Sequence, residues 1–372
     1  MFVALLASFL IVFGAPYAGQ IRGTLQSSFP DQYRWIIGGI VAAGTIAAIA
    51  SAFARVRVQP RAASRTGQSG VHPRPRYAII LLGVVISAAY AWTVRSGNLD
   101  VDLVEAFHFV EYGLVAYLFH RAWRRRTDLS GVAFAASAAL AVGVVDEWVQ
   151  WLVPGRVGEM HDVWLNGVAI CCGLLFSVAI HPPVFRRPFL APRSRVAVGA
   201  SASVLVVVVA AFIHSVHVGH EISSSDTGVF RSRYDVTALE AASRNRPTRW
   251  HASPPPSKGF AREDHYLSEG LWHVQRRNLA ITEGDVPAAW NENVILERFY
   301  APVLDRGDRW SADQRAGVEQ IAGSSSPTGY VSDAAPYAIY VVRPLVFWAV
   351  TVVLAAAIVS ISRPRRVRRT PR

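Results

Sequence analysis

Apolar residues fall in eight long runs along the chain. They are about Phe2–Ala18, Trp35–Ala54, Tyr77–Val94, Val104–His120, Leu129–Val153, Val163–Ile180, Val196–His214 and Tyr337–Ile361. Runs of about 17 to 20 apolar residues can cross ~30 Å of hydrocarbon as helix. The pattern predicts an all-α, polytopic membrane helix bundle of about eight spans. Ala15-Pro16-Tyr17-Ala18 resembles a small-residue cleavage site, but no basic stretch precedes the first run, so the reading is an uncleaved first helix.

Arginines punctuate the runs and set the orientation. Arg55, Arg57, Arg61, Arg65, Arg74 and Arg76 form one loop, Arg121 with Arg124 to Arg126 a second, and Arg186, Arg187, Arg193 and Arg195 a third. A tail dense in arginine runs from Arg363 to Arg372. Under the positive-inside rule each of these is cytoplasmic, and all agree with one threading. Both termini then lie inside and Ser215–Pro336 outside. The predicted organisation has five parts: two N-terminal helices and a basic loop (1–76), a membrane core (77–181), a loop and seventh helix (182–214), an extracytoplasmic domain (215–336), and a last helix with a basic tail (337–372).

Helical patterns dominate the outer segment. Thr237 with Glu240 reads as a capping box for a helix ending near Asn245, and a Pro-rich linker, Pro247–Lys258, follows. Leu267, Leu271, Val274 and Asn278 share a face of a helix from about Arg262 to Thr282. Asp285 caps the next, with Pro287 in its first turn and Trp290, Val294, Ile295 and Phe299 as core candidates. Ser311 with Gln314 opens a last helix, which Gly323 ends. The strand signal is confined to Val229–Tyr234. His265, Glu269 and His273 recur every four residues, a spacing a metal stripe could use, but they lack the HExxH pattern of zinc peptidases and read as solvated or capping neighbours on a surface helix. Trp272, Trp290 and Tyr300 read as core.

Composition agrees with the pattern. The 372 residues are 52% hydrophobic and only 17% charged, whereas a soluble protein carries roughly 25% charged residues. The net charge of +12 would suggest nucleic acid in a soluble chain. Here the arginines sit where topology needs them, so no nucleic-acid partner is expected. Cys171 and Cys172 are adjacent inside an apolar run, which disfavours a disulfide between them.

Against this background one polar cluster stands out. Glu105, His108, Glu111 and Tyr112 open the fourth run, Asp146, Glu147 and Gln150 close the fifth, Arg156 lies in the hairpin, and Asp162 and Asn166 open the sixth. An ionisable side chain in a bilayer costs a few kcal/mol or more, so such residues are candidates for function. Glu105, His108 and Tyr112 follow i, i+3, i+7, while Asp146/Gln150 and Asp162/Asn166 are i, i+4 pairs. Polar stripes on three consecutive helices predict one cavity at the outer leaflet, which Arg343 could join. Glu105, His108, Asp146, Glu147 and Asp162 are the acid–base candidates. Glu111, Tyr112, Gln150, Arg156, Asn166 and Arg343 are the binding candidates, with an arginine clamping an anionic head group. Carboxylates with a histidine could hold a divalent metal, but the spacing matches no metal motif, so no cofactor is expected. The competing reading is structural: Asp146, Glu147 and Gln150 would pair with Arg156 and tie the hairpin together.

His108-Phe109, Glu111-Tyr112-Gly113, Asp146-Glu147-Trp148-Val149-Gln150, Pro154-Gly155-Arg156 and Asp162-Val163 with Asn166 resemble the VanZ-like family. The family's pattern is roughly H-F-x-x-Y, then D-E-x-x-Q, P-x-R and D-x-x-x-N on successive membrane helices, here over about Tyr77–Ile180. Members often carry Asp-Lys before the histidine, where this chain has Val104-Glu105. The resemblance implies a bacterial plasma membrane, a cell-envelope setting and a link to teicoplanin tolerance, and it implies no defined reaction. The expected function is recognition of a lipid or lipid-linked cell-wall precursor by the outer cavity. A membrane hydrolase or transferase and a non-catalytic scaffold are the alternatives. Residues 215–336 would cap the cavity or dock an envelope partner.

Overall fold

The structure, a computed structural model, describes residues 1–65, 73–95, 97–153, 156–182, 190–244, 263–322 and 329–363. Among these, the long helices are α1 (Phe2–Ser28), α2 (Tyr33–Arg65), α3 (Pro73–Thr93), α4 (Leu99–Trp123), α5 (Ser130–Leu152), α6 (Met160–Ile180), α7 (Pro192–Val216) and, last in the chain, α12 (Pro344–Ser362). Between α7 and α12 come β1 (Val218–Ser224), β2 (Gly228–Ser232), α8 (Val236–Arg244), α9 (Glu263–Glu283), α10 (Val286–Phe299), α11 (Ala312–Ala322) and β3 (Tyr340–Val341).

The chain is a multi-pass membrane protein built as an all-α bundle. Among the described residues six helices are long and apolar enough to cross a membrane, over Tyr33–Val58, Arg74–Thr93, Ser130–Leu152, Met160–Ile180, Pro192–Val216 and Pro344–Ser362. The bent pair Phe2–Ala15 and Gly19–Ser28 makes a seventh if it counts as one span. The sequence expects about eight. The difference is α4, a helix of 25 residues whose Asp102, Glu105, His108 and Glu111 lower its apolarity. Boundaries also move. Arg55, Arg57, Arg61 and Arg65 continue α2, because Ala and Arg are strong helix formers. The last helix starts at Pro344 rather than Tyr337, since Tyr340–Val341 is strand and proline suits the first helical position, where its missing N–H is not needed. Pro154-Gly155, Arg186, Arg187, the linker Pro247–Lys258, Gly323 and the tail beyond Arg363 lie outside the described residues.

The chain divides into two compact units. The first comprises Met1–Val149, Met160–Ala211 and Ala349–Arg372. Its core lies between α4, α5 and α6, where Tyr112, Val115, Ala116, Phe119, Ala135, Ala139, Ala169 and Ile170 are buried together. Lipid supplies no hydrophobic drive between helices, so close backbone approach must hold them. Gly113 on α4 and Gly173 on α6 provide it, because a Cβ on Gly173 would stand 2.5 Å from the Cα of Gly113. A second cluster, Ala52, Val56, Ile80, Ala179 and Ile180, joins α2 and α3 to the end of α6. Arg76, buried on α3, donates from Nε to the Ala179 carbonyl at 2.7 Å and from Nη2 to that of Ile180 at 3.2 Å, which caps α6. Along α7 and α12, the Ser203 hydroxyl donates to the Ala355 carbonyl at 3.0 Å.

The second unit comprises Gln150–Glu159 and Phe212–Trp348. A three-stranded sheet runs β2-β1-β3, antiparallel between β1 and β2 and parallel between β1 and β3. The sequence pattern marks only β2, since β1 carries glycine, histidine and serines in place of a strict alternation. Ile222, Phe230, Leu239, Leu267, Val274, Ile295, Phe299 and Tyr300 form the core. Asp285 caps α10 by accepting from the Ala288 N–H at 3.1 Å, and Ser311 and Gln314 form a reciprocal box at the start of α11. Helix α8 differs from its expected start, because Asp235 accepts from the Ala238 N–H at 2.7 Å and leaves Thr237 inside the first turn.

His265, Glu269 and His273 are not solvated. They are 7%, 2% and 1% exposed, because α9 is covered on this face by the sheet and α10. Glu269 accepts from Ser232 Oγ at 2.6 Å, Arg233 N at 3.1 Å and Tyr300 Oη at 3.0 Å. Burial pushes its carboxyl above the usual range, and these donors draw it part of the way back. His273 Nδ1 meets Glu292 Oε2 at 2.6 Å, and Tyr330 and Ser332 hydroxyls donate to the other Glu292 oxygen. Trp272 and Leu271 are exposed rather than core, and Trp290 lies half-buried beneath the Arg315 guanidinium.

Candidate functional site

Three helices of the first unit bring polar groups to one place. Their sequences explain why each group must find a partner: α4, α5 and α6 are apolar almost throughout, so a buried carboxylate or amide without a hydrogen bond is costly. Asp146 and Glu147 lie near the end of α5 and are 3% and 0% exposed. Asn166, two turns into α6, is 1% exposed.

The Tyr112 hydroxyl on α4 donates to Asp146 Oδ2 at 2.7 Å. His108 Nδ1 lies 2.9 Å from Asn166 Oδ1, and Asn166 Nδ2 donates to Glu147 Oε1 at 3.4 Å. With the amide so oriented, its oxygen can only accept, so His108 Nδ1 carries the proton toward it. The His108 and Tyr112 rings lie parallel, their planes 6° apart and centroids 5.8 Å apart, as i, i+4 neighbours on one helix face allow. Gly143 on α5 leaves the room: a Cβ there would stand 3.2 Å from Asn166 Cβ and 3.5 Å from Tyr112 Cε1.

Around this centre the other candidates fall in layers. Glu111 is within electrostatic reach of Asp146. Glu105 and Asp162 both act on Tyr90 of α3, a residue outside the predicted set, and Glu105 also faces His161. Hydrogen bonds therefore join Tyr112 to Asp146 and, separately, His108 through Asn166 to Glu147, with Glu111, Glu105 and Asp162 beside them. Gln150 and Arg156 belong to the second unit, where Arg156 Nη2 donates to Gln150 Oε1. Arg343, also of the second unit, is exposed in the turn ahead of α12. Among the described residues no three His, Cys, Asp or Glu side chains come together as a metal-holding set.

Sequence reasoning passes over two contributors. Gly143 has a legible signal, a glycine inside an apolar helix three residues before Asp146. Tyr90 has none, being an aromatic among apolar neighbours.

The arrangement can hold a polar ligand group by acid, amide and imidazole contacts on one site, and it can move a proton between a positioned imidazole and a carboxylate. Neither a curated protein nor a solved structure matches the chain. The family model described as VanZ/LLP1 matches residues 38–181, a stretch that includes every hydrogen-bonded residue of the site. Over that stretch the chain is similar to VanZ-like proteins, and residues 182–372, outside the match, add two more long helices and a mixed, mainly helical segment between them.

Proposed function

We propose that the polar site of the first unit recognises the head group of a lipid or lipid-linked cell-wall component in a bacterial plasma membrane, a role tied to tolerance of glycopeptides such as teicoplanin. The observation that carries this reading is the run of hydrogen bonds from His108 through Asn166 to Glu147, across α4, α6 and α5. A membrane bundle needs no such groups for stability, since apolar residues of the same volume would avoid the cost of burying them. In this reading His108 and Glu147 contact the ligand as donor and acceptor, while Tyr112 positions Asp146. Glu105 and Asp162, beside Tyr90, bind hydroxyl or cationic groups further out. Both termini face the cytoplasm, so that the site opens to the outer leaflet. The reading rests on the first unit, and Gln150, Arg156 and Arg343 are given no part in it.

The test is lipid copurifying with gently solubilised protein, identified by mass spectrometry in wild type, His108→Ala and Glu147→Gln. An enriched lipid species, lost in both variants at unchanged protein abundance, supports recognition. Variants that keep the lipid and only lower abundance make the cluster structural. A chemically altered head group appearing with wild type and not with His108→Ala makes the protein an enzyme on that lipid.

A further inference from the structure

The other end of the same helices carries a different chemistry. Tyr117 and His120 lie on α4 toward its C-terminus, away from His108, and His181 follows α6. The Tyr117 hydroxyl is 3.3 Å from His181 Nε2, and His120 Nδ1 is 2.7 Å from Ser177 Oγ, so this end of α4 is fixed to this end of α6. Helix α2 joins them through Ala52 and Val56, both fully buried against Ala179 and Ile180, with Tyr117 packed on the same cluster. Arg55 stands between those two α2 residues in sequence and is exposed. Arg121 and Arg124, at the end of α4, are exposed as well.

The charges that meet here are of one sign. Arg55, Arg124, His120 and Arg121 all act on His181, and no carboxylate is among the charged groups that do. Among the described residues no Asp or Glu forms an ion pair with Arg55, Arg121 or Arg124. Asp128, the acid nearest in sequence, is committed to Ser130 and to the Ala191 N–H at 3.0 Å. The negative end of α6 is already answered by Arg76, which holds the Ala179 and Ile180 carbonyls. Burial and these like charges together depress the imidazole of His181 to about 4, as expected where positive charge gathers without a counter-ion.

We propose that Arg55, Arg121 and Arg124, gathered around His181 where the apolar part of α2 and the helices α4 and α6 end, form a binding site for a phosphate anion, carried by the head group of an anionic phospholipid. Three guanidiniums, one on α2, one on the last turn of α4 and one just past it, can bracket one phosphate, and helix ends of a membrane bundle lie at head-group depth. The site is independent of the polar site of the preceding section, and neither shares a residue with the other.

The experiment places the full chain in nanodiscs of phosphatidylcholine with a minor fraction of phosphatidylglycerol and reads retained lipid by native mass spectrometry. Wild type is compared with Arg55→Gln, Arg121→Gln/Arg124→Gln and, as a control for loss of one arginine elsewhere, Arg95→Gln at the far end of α3. Wild type should retain phosphatidylglycerol in preference to phosphatidylcholine. Each arginine lost at the site should weaken that retention about fivefold, and Arg95→Gln should not. Because all three arginines are exposed, the variants should melt as wild type does, which checks their fold. A preference equal in every variant overturns the site. Inorganic phosphate or pyrophosphate that binds wild type at millimolar concentration, with no preference between the two lipids, keeps the phosphate chemistry and overturns the lipid as its source.

Discussion

Gly113 and Gly173 set α4 and α6 in backbone contact: a Cβ on Gly173 would come within 2.5 Å of both the Cα and the carbonyl oxygen of Gly113. Neither atom belongs to a side chain that could rotate away. Gly173→Ala should therefore push the helices apart and lower stability by about 1–3 kcal/mol, with Gly173→Leu abolishing accumulation of folded protein. Gly39, with nothing within 4 Å of its Cβ position, is the control, and Gly39→Ala should be neutral or slightly stabilising. Thermal unfolding in detergent, followed by tryptophan fluorescence, separates the two. Equal melting of Gly173→Ala and Gly39→Ala would contradict the packing described.

The amide of Asn166 couples α4 to α5, since one end meets His108 and the other Glu147. Asn166→Ala strands a buried carboxylate and an imidazole, at a cost of roughly 1–3 kcal/mol. His108→Ala removes one of the same bonds. The double variant should cost less than the sum of the singles by about 0.5 kcal/mol or more, because the shared bond is lost only once. Strict additivity in a double-mutant cycle would mean the bond contributes nothing.

Acid should weaken the first unit through His181. Burial first, and then Arg55, Arg124, His120 and Arg121, hold its folded-state pKa at about 4, against 6.5 for the free side chain. Below 6.5 the unfolded chain takes up a proton that the folded chain refuses, so stability is full above that pH, falls between 6.5 and about 4, and levels off below, where both states are protonated. His181→Gln should flatten the melting temperature between pH 7 and pH 4.5 relative to wild type. A wild-type curve already flat over that window would show that the imidazole is not so placed.

In the second unit Trp151 is 1% exposed and stacks on His265, with ring centroids 4.4 Å apart and planes at 13°. The Arg233 guanidinium lies 4.5 Å from the centroid of the same indole. Trp151→Ala should cost about 3–5 kcal/mol, and Trp151→Phe clearly less, because a smaller ring keeps part of the stacking and cation–π attraction. Proteolysis of purified protein within 263–322 should speed up in the alanine variant. If alanine and phenylalanine are cleaved at the wild-type rate, the sandwich holds nothing.

Much of this was legible in the residues themselves. Membrane helices announce themselves because every backbone group must bond within its own segment in lipid, so length and apolarity suffice to mark Met160–Ile180 or Pro192–Val216. Polar residues inside such runs are equally visible, and the cost of burying them, with their helical spacing, singles out His108, Tyr112, Asp146, Glu147 and Asn166 as candidates. The second unit was harder. Strand β1 pairs with β2 and, across more than 120 residues, with β3, and no local pattern in Val218–Ser224 signals partners at that distance. Likewise α9 reads as a surface helix because its face holds His265, Glu269 and His273, and only the partners Ser232, Tyr300 and Glu292 make those residues affordable inside.

Sequence by itself marked most of the apolar spans, though not all their ends, and which side chains are too polar to sit in lipid without cause. Tertiary structure alone decided which of those side chains bond to which. It drew Tyr112 to Asp146 and His108 to Asn166, turned Arg76 from a loop charge into the cap of α6, and left Gln150 bonded to Arg156. The physical reason is range. Helix formation and the cost of burying charge act within one segment, while hydrogen-bond partners and glycine contacts depend on how distant segments meet.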